Sequence, residues 1–142
     1  MTADLEQMIE QSHHALDEIM KGSADGYRRL YSRRDDCTLA NPFGPPVRGW
    51  DAVDQALEGA ASHYQDGEAT GFELIVSNQA PEFAYTVEIE HMRARVDGRG
   101  DITPISARIT SIFRREDGAW KLVHRHADPI TSPRPGESVI GQ

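Results

Sequence analysis

"DDCTLANPFGPP", residues 35–46, decides how this chain is read. Two acids lead into Cys37, Thr38, Leu39 and Ala40, and the chain then breaks at Asn41-Pro42 and Gly44-Pro45-Pro46. Proline has no N–H to give a sheet ladder, and asparagine suits turn geometry, so the segment reads as a short strand stopped by a turn. Two readings of Asn41 stand side by side. Its amide closes an Asx-type turn before Pro42, or it faces a ligand.

Upstream of this strand the pattern is helical. Leu5, Met8, Ile9, Ser12, Leu16, Ile19 and Met20 recur at helical spacing over residues 3–21, and Gly22 ends the run. "SADGYRRLYS" predicts a second, shorter helix with Tyr27, Leu30 and Tyr31 on one side. Downstream, "VRG" reads as a short return strand. "WDAVDQALEGAASHYQ" reads as a third helix, capped by Asp51, with Val53, Ala56, Leu57, Ala60, Ala61 and Tyr64 as its apolar stripe. From Gly71 the period changes to two. "FELIVSN", "FAYTVEIEHMRARV", "ITPISARITSIFRRE" and "AWKLVHRHAD" predict four strands, with "VDGRGD" and "REDGAW" as hairpin turns. Helices followed by an antiparallel sheet predict one α+β domain over residues 1–130, and a loose tail over 131–142.

The bulk composition narrows the function classes. The chain has 142 residues and a formal net charge of −8, which disfavours a phosphate backbone as partner. No apolar run approaches the roughly 18 residues of a membrane span, and the acidic N-terminus lacks the features of a signal peptide. The single cysteine, Cys37, excludes an internal disulfide. The expectation is a cytoplasmic protein without nucleic-acid or membrane partners.

The face each strand turns inward depends on the hairpin between the last two strands. A three-residue Glu116-Asp117-Gly118 loop pairs Arg115 with Ala119; a two-residue Asp117-Gly118 turn swaps the partners. Hydrophobicity favours the first. Tyr85, Val87, Ile89 and His91 then join Ala107, Ile109, Ser111, Phe113, Val123, Arg125 and Ala127 under the helices. The opposite face carries Glu88, Glu90, Arg108, Trp120, His124 and His126, and its mixed character suits a homodimer interface. A buried Arg125 needs an acid, an anionic ligand or water.

"HRHAD" places His124 and His126 on one side of a strand with Asp128 next in phase. An H-x-H pair needs further ligands to hold zinc, and the reading preferred here is a cross-strand network of Glu90, Arg108 and His126. Neither a metal nor a cofactor is expected.

Two longer stretches resemble a known superfamily. "GSADGYRRLYSRRDDCTLANPFGPPVRGWDAVDQAL" and "ITSIFRREDGAWKLVHRHADP" look like the nuclear-transport-factor-2-like (NTF2-like) superfamily, which includes SnoaL-like cyclases, ketosteroid isomerase and the kinase association domain. The resemblance implies a cone-shaped fold, three N-terminal helices packed on a curved antiparallel sheet. It also places the isomerase's proton-shuttling carboxylate at Asn41, which cannot act as a general base near neutral pH. The isomerase's other catalytic positions fall near Leu16 and near Thr110 or Ser111. The aspartate of related epoxide hydrolases falls at Arg125, and the basic pocket of the association domain falls near His91, Ser111 and Arg125.

The candidate site that follows uses Arg125 and His91 to hold an anionic or carbonyl-bearing small molecule, with Asn41, Tyr85 and Ser111 hydrogen bonding to it. His91 is the candidate proton carrier; His126 and Asp128 take that part in the other hairpin register. Glu58 and His63, on the third helix, are further options. Two functions stay open: a cofactor-free isomerase, cyclase, dehydratase or hydrolase, and a non-catalytic ligand-binding or assembly module.

Overall fold

Leu5, Met8, Ile9, Leu16, Ile19 and Met20 are all buried along one side of helix α1 (Ala3–Met20) in the computed structural model, which describes residues 1–141. Helix α2 (Asp25–Leu30) crosses α1 where Gly26 meets Ala15. Strands β1 (Thr38–Ala40) and β2 (Val47–Arg48) flank the proline-rich turn. Helix α3 (Trp50–Ser62) follows, and buries Val53, Leu57 and Ala61. Its N-cap is Gly49 rather than the expected Asp51, which lies in the first helical turn. The third helix also ends earlier than its apolar stripe suggested, because Tyr64 already pairs with Val96 in the sheet.

Four long strands complete the chain: β3 (Tyr64–Gln79), β4 (Phe83–Val96), β5 (Arg99–Glu116) and β6 (Ala119–Asp128). The sheet order is β2-β1-β6-β5-β4-β3. The expected purely antiparallel sheet is in fact mixed, since β1 runs parallel to β6 while every other pair is antiparallel. The curved sheet stays open and wraps the three helices, so the core lies between helices and inner sheet face. Beyond β6 an exposed 3-10 turn (Gly136–Val139) forms; Gln142, the last residue of the expected tail, lies outside the described residues.

Both hairpins between β4, β5 and β6 use two-residue Asp-Gly turns. Asp97 and Gly98, like Asp117 and Gly118, have positive φ, the conformation that matches strand twist in such turns. Glu116 therefore pairs with Ala119, not Arg115. The register nevertheless shifts by one residue at Val123, which sets Ser111 opposite Arg125 and Thr110 opposite His126 and keeps Arg125 on the inner face. The two-residue turn sets Leu122 against Phe113 and Trp120 against Arg115, so both lie inward and are buried, although Trp120 was expected on the outer face.

The face of β4 is the reverse of that expected. The Asp97-Gly98 turn pairs Val96 with Arg99, and after a two-residue register shift between Val96 and Ala94 the ladder sets Glu90 opposite Ala107 and Glu88 opposite Ile109. Ala84, Thr86, Glu88, Glu90, Met92 and Ala94 are buried, whereas Tyr85 is exposed and Val87, Ile89 and His91 are half-buried on the outer side. Two carboxylates thus enter the interior, and two candidate ligand contacts leave it.

Candidate functional site

The cone holds a cavity of about 290 Å³ between α1, α2, α3 and the inner face of the sheet. Its wall is mostly apolar, with Leu16, Ile19, Met20, Leu57, Met92 and Ile105 among the lining residues. The polar lining residues are few: Tyr27, Asn41, Tyr64, Glu90, Ser106 and Arg125. Of the residues expected at the site, Asn41 and Arg125 line this cavity.

Arg125 comes from β6 and Glu90 from β4, so they join across the intervening strand β5. Arg125 Nη1 donates to Glu90 Oε2 at 2.9 Å, and Nη2 donates to Oε1 at 2.7 Å. The side chains are 9% and 4% exposed, so solvent screens the pair little. Ala107, beside Glu90 on β5, leaves room for the long arginine. Burial works against the guanidinium charge, but the Glu90 carboxylate more than offsets it, and the Arg125 pKa lies above its ordinary value. The acid that a buried arginine needs is therefore Glu90, which the hydrophobic pattern had assigned to the outer face. The pair has no net charge, yet three of the five N–H groups of Arg125 are left for other acceptors.

Tyr27 adds a second polar group. The guanidinium carbon of Arg125 lies 5.1 Å from the centre of its ring. The hydroxyl is buried without a hydrogen-bond partner among the described residues. Buried polar atoms without partners are rare, and such an atom beside a cavity marks a place where a ligand or water is accommodated. Burial raises the Tyr27 pKa, so the group is a neutral hydroxyl. Burial likewise raises that of Tyr64.

Asn41 closes the expected turn and also lines the cavity. Its Oδ1 accepts a hydrogen bond from the Phe43 backbone N–H at 3.0 Å, closing an Asx turn. Its Nδ2 makes no hydrogen bond to another described residue, while the residue lines the cavity. It offers a donor there, not a base.

The remaining candidates lie elsewhere. His91 is on the outer face, with Nδ1 at 2.8 Å from Ser106 Oγ and Nε2 against the Glu73 carboxylate. Tyr85 stands opposite Ile112 on the same outer face. Ser111 is buried on the inner face between Thr86 and Arg125, yet it is not among the lining residues of the cavity. His126 and Asp128 are joined at 3.0 Å outside, where Arg108 also grips Asp128 at 2.7 Å. The expected surface network therefore contains Asp128 in place of Glu90. His124 binds Thr38 Oγ1 at 2.8 Å, and burial together with His126 lowers its pKa. Among the described residues no group of three or more His, Cys, Asp or Glu side chains converges as a metal site would require. A further buried carboxylate, Glu88, meets His13 Nε2 at 2.7 Å, and the His13 ring stacks on Phe72.

Known proteins agree with this architecture. The model of the SnoaL-like domain family matches residues 5–131. A nuclear transport factor 2 (NTF2-like) superfamily protein from Salmonella enterica superposes with a TM-score of 0.74 at 14% identity, covering 92% of each chain. A ketosteroid isomerase-like protein from Erwinia carotovora does so with 0.74 at 18% identity, covering 92% of this chain and 96% of its own. A scytalone dehydratase-like protein from Novosphingobium aromaticivorans gives 0.71 at 16% identity over 92% and 93% of the two chains. At such identities the likeness speaks for the fold. No curated protein matches the chain.

Proposed function

The chain belongs to the SnoaL-like domain family, and on that premise we propose that its cone cavity binds a small, neutral, largely apolar molecule carrying a carbonyl or hydroxyl group. The carrying observation is the buried Arg125–Glu90 pair on the wall of an otherwise apolar cavity. Sites of this kind take their affinity from apolar contact and their orientation from a few placed polar groups. A ligand oxygen accepts from the spare N–H groups of Arg125, the Tyr27 hydroxyl or Asn41 Nδ2. A ligand hydroxyl donates to Glu90. An anionic ligand, the other class considered for Arg125, is disfavoured because Glu90 already occupies the arginine's charge, and a second carboxylate beside it is repelled.

A second reading is catalytic. Glu90 is a carboxylate in the cavity wall, next to an arginine and a neutral phenol, and these are the elements of proton transfer on a carbonyl compound. The structural relatives include isomerase-like and dehydratase-like proteins, which supports this reading. In it Glu90, rather than His91 on the outer face, carries the proton.

The same proposal includes a homodimer through the outer sheet face. Its support is the half-buried Val87, Ile89 and Ile112 beside the exposed Tyr85 and Phe83. A cytoplasmic location belongs to it too, supported by the free, buried thiol of Cys37.

Native mass spectrometry of protein purified under gentle conditions tests the binding reading. A neutral small molecule released on denaturation supports it. Its absence, together with no binding of neutral bicyclic ketones or phenols, counts against it.

A further inference from the structure

A second cavity of about 270 Å³ lies beside the first, under α3 and the turn between β1 and β2. The two share Leu39, Asn41, Phe43 and Ala60. Resting on the reading of the cone cavity as a ligand site, we infer that these are two chambers of one elongated site, and that the Phe43 side chain is the partition between them.

The geometry at Phe43 has the character of a movable wall. Phe43 sits on the turn that breaks β1, and it is 43% exposed despite its size. Its ring stacks on His63, with centroids 4.1 Å apart and planes 22° apart, and meets Tyr64 edge-on at 5.9 Å. His63 is braced in turn. Its Nδ1 lies 2.7 Å from Asp97 Oδ1, and the Asp97 N–H donates to the His63 carbonyl at 2.8 Å. The histidine is thus a fixed platform, while Phe43 is held to it by stacking. An aromatic stack is worth only about 0.5–1.5 kcal/mol, and rotation of a partly exposed side chain is fast.

The second chamber is also apolar or neutral where the ligand would run, with Val47, Ala56 and Gly59 among its walls. An added Cβ at Gly59 would meet nothing within 4 Å, so a larger side chain has room there. The occupant is therefore a neutral compound of linked or fused rings, too long for the cone alone. Its polar head lies at Arg125 and Glu90, and its far rings pass Phe43 toward α3.

Calorimetric titration with naphthol as the short probe and hydroxyterphenyl as the long one tests this. Phe43→Ala removes the partition, and is expected to shift the preference toward hydroxyterphenyl over naphthol by about tenfold. Gly59→Leu fills the second chamber from a helical position that favours leucine over glycine, and is expected to weaken hydroxyterphenyl by about tenfold with naphthol unchanged. Naphthol binding to wild type with neither variant changing the preference for length would overturn the two-chamber site alone. Failure of naphthol to bind wild type would overturn the cone reading, and this inference with it. Thermal melts within a few degrees of wild type establish that each variant is folded.

Discussion

Arg125 on β6 and Glu90 on β4 close a two-pronged ion pair over strand β5, with donor–acceptor distances of 2.9 and 2.7 Å. This relationship sets the chemistry of the cavity, because it places two full charges on an apolar wall and cancels them there. It also makes the site sensitive to the loss of either partner.

Removing one partner leaves the other charged and buried. Arg125→Leu is expected to destabilise the fold by about 3–5 kcal/mol, read from urea unfolding. The double variant Glu90→Leu with Arg125→Leu is expected to recover most of that loss, because burying two apolar side chains carries no desolvation cost for charge. Equal stability of the single and double variants would contradict the pairing.

Gly26 is where α2 approaches α1 most closely. A Cβ there would stand 2.9 Å from Ala15 Cα and 3.0 Å from Ala15 Cβ. Gly26→Ala is therefore expected to cost about 1–3 kcal/mol through overpacking, although alanine favours a helix. A gain in melting temperature would contradict this contact.

Asp17 ties the end of α1 to β3. Its carboxylate accepts from Lys21 Nζ and from the Ala69 N–H, each at 2.9 Å, and the lysine lowers its pKa from 3.8 against the opposing effect of burial. A depressed carboxylate contributes stability that is present above its ordinary pKa and lost as pH falls through the folded one. Between about pH 5 and pH 3, wild type should lose more melting temperature than Asp17→Asn. Parallel losses would remove Asp17 from the acid response.

The outer face offers a test of the proposed dimer. Val87, opposite Thr110, lies half-buried in its centre. Val87→Asp is expected to convert a dimer to a monomer in sedimentation velocity while the cone cavity keeps its ligand affinity. A wild-type protein that sediments as a monomer would end this part of the proposal.

Much of the fold was legible in the residues. The 3.6-residue stripe from Leu5 to Met20, the break at Asn41-Pro42 and the period-two runs after Gly71 locate helices and strands, because backbone periodicity dominates there. The inner face of β4 was not legible from hydrophobicity. Tyr85, Val87 and Ile89 are more apolar than Thr86, Glu88 and Glu90, yet they face out, because the buried carboxylates find hydrogen-bond partners in Arg125 and His13 from elements distant in sequence. One local signal did carry the answer. A two-residue Asp97-Gly98 turn sets the even residues of β4 against the odd residues of β5, and so turns Glu90 inward with Ala107. The one-residue slip at Val123 had no comparable signal, since the paired apolar residues Leu122 and Val123 suit either face. No residue of the first helices pointed to Tyr27 as a cavity group; only its unpartnered hydroxyl does so.

Under the proposed function, Glu90 cancels the charge of Arg125 and so selects a neutral ligand. Titration of naphthol and naphthoate into wild type and Glu90→Gln measures this directly, since glutamine keeps the shape and removes the charge. Wild type should prefer naphthol, and the variant should bind naphthoate at least about tenfold more tightly than wild type does. Wild type binding naphthoate as well as naphthol, or a variant with unchanged preference, would contradict the account.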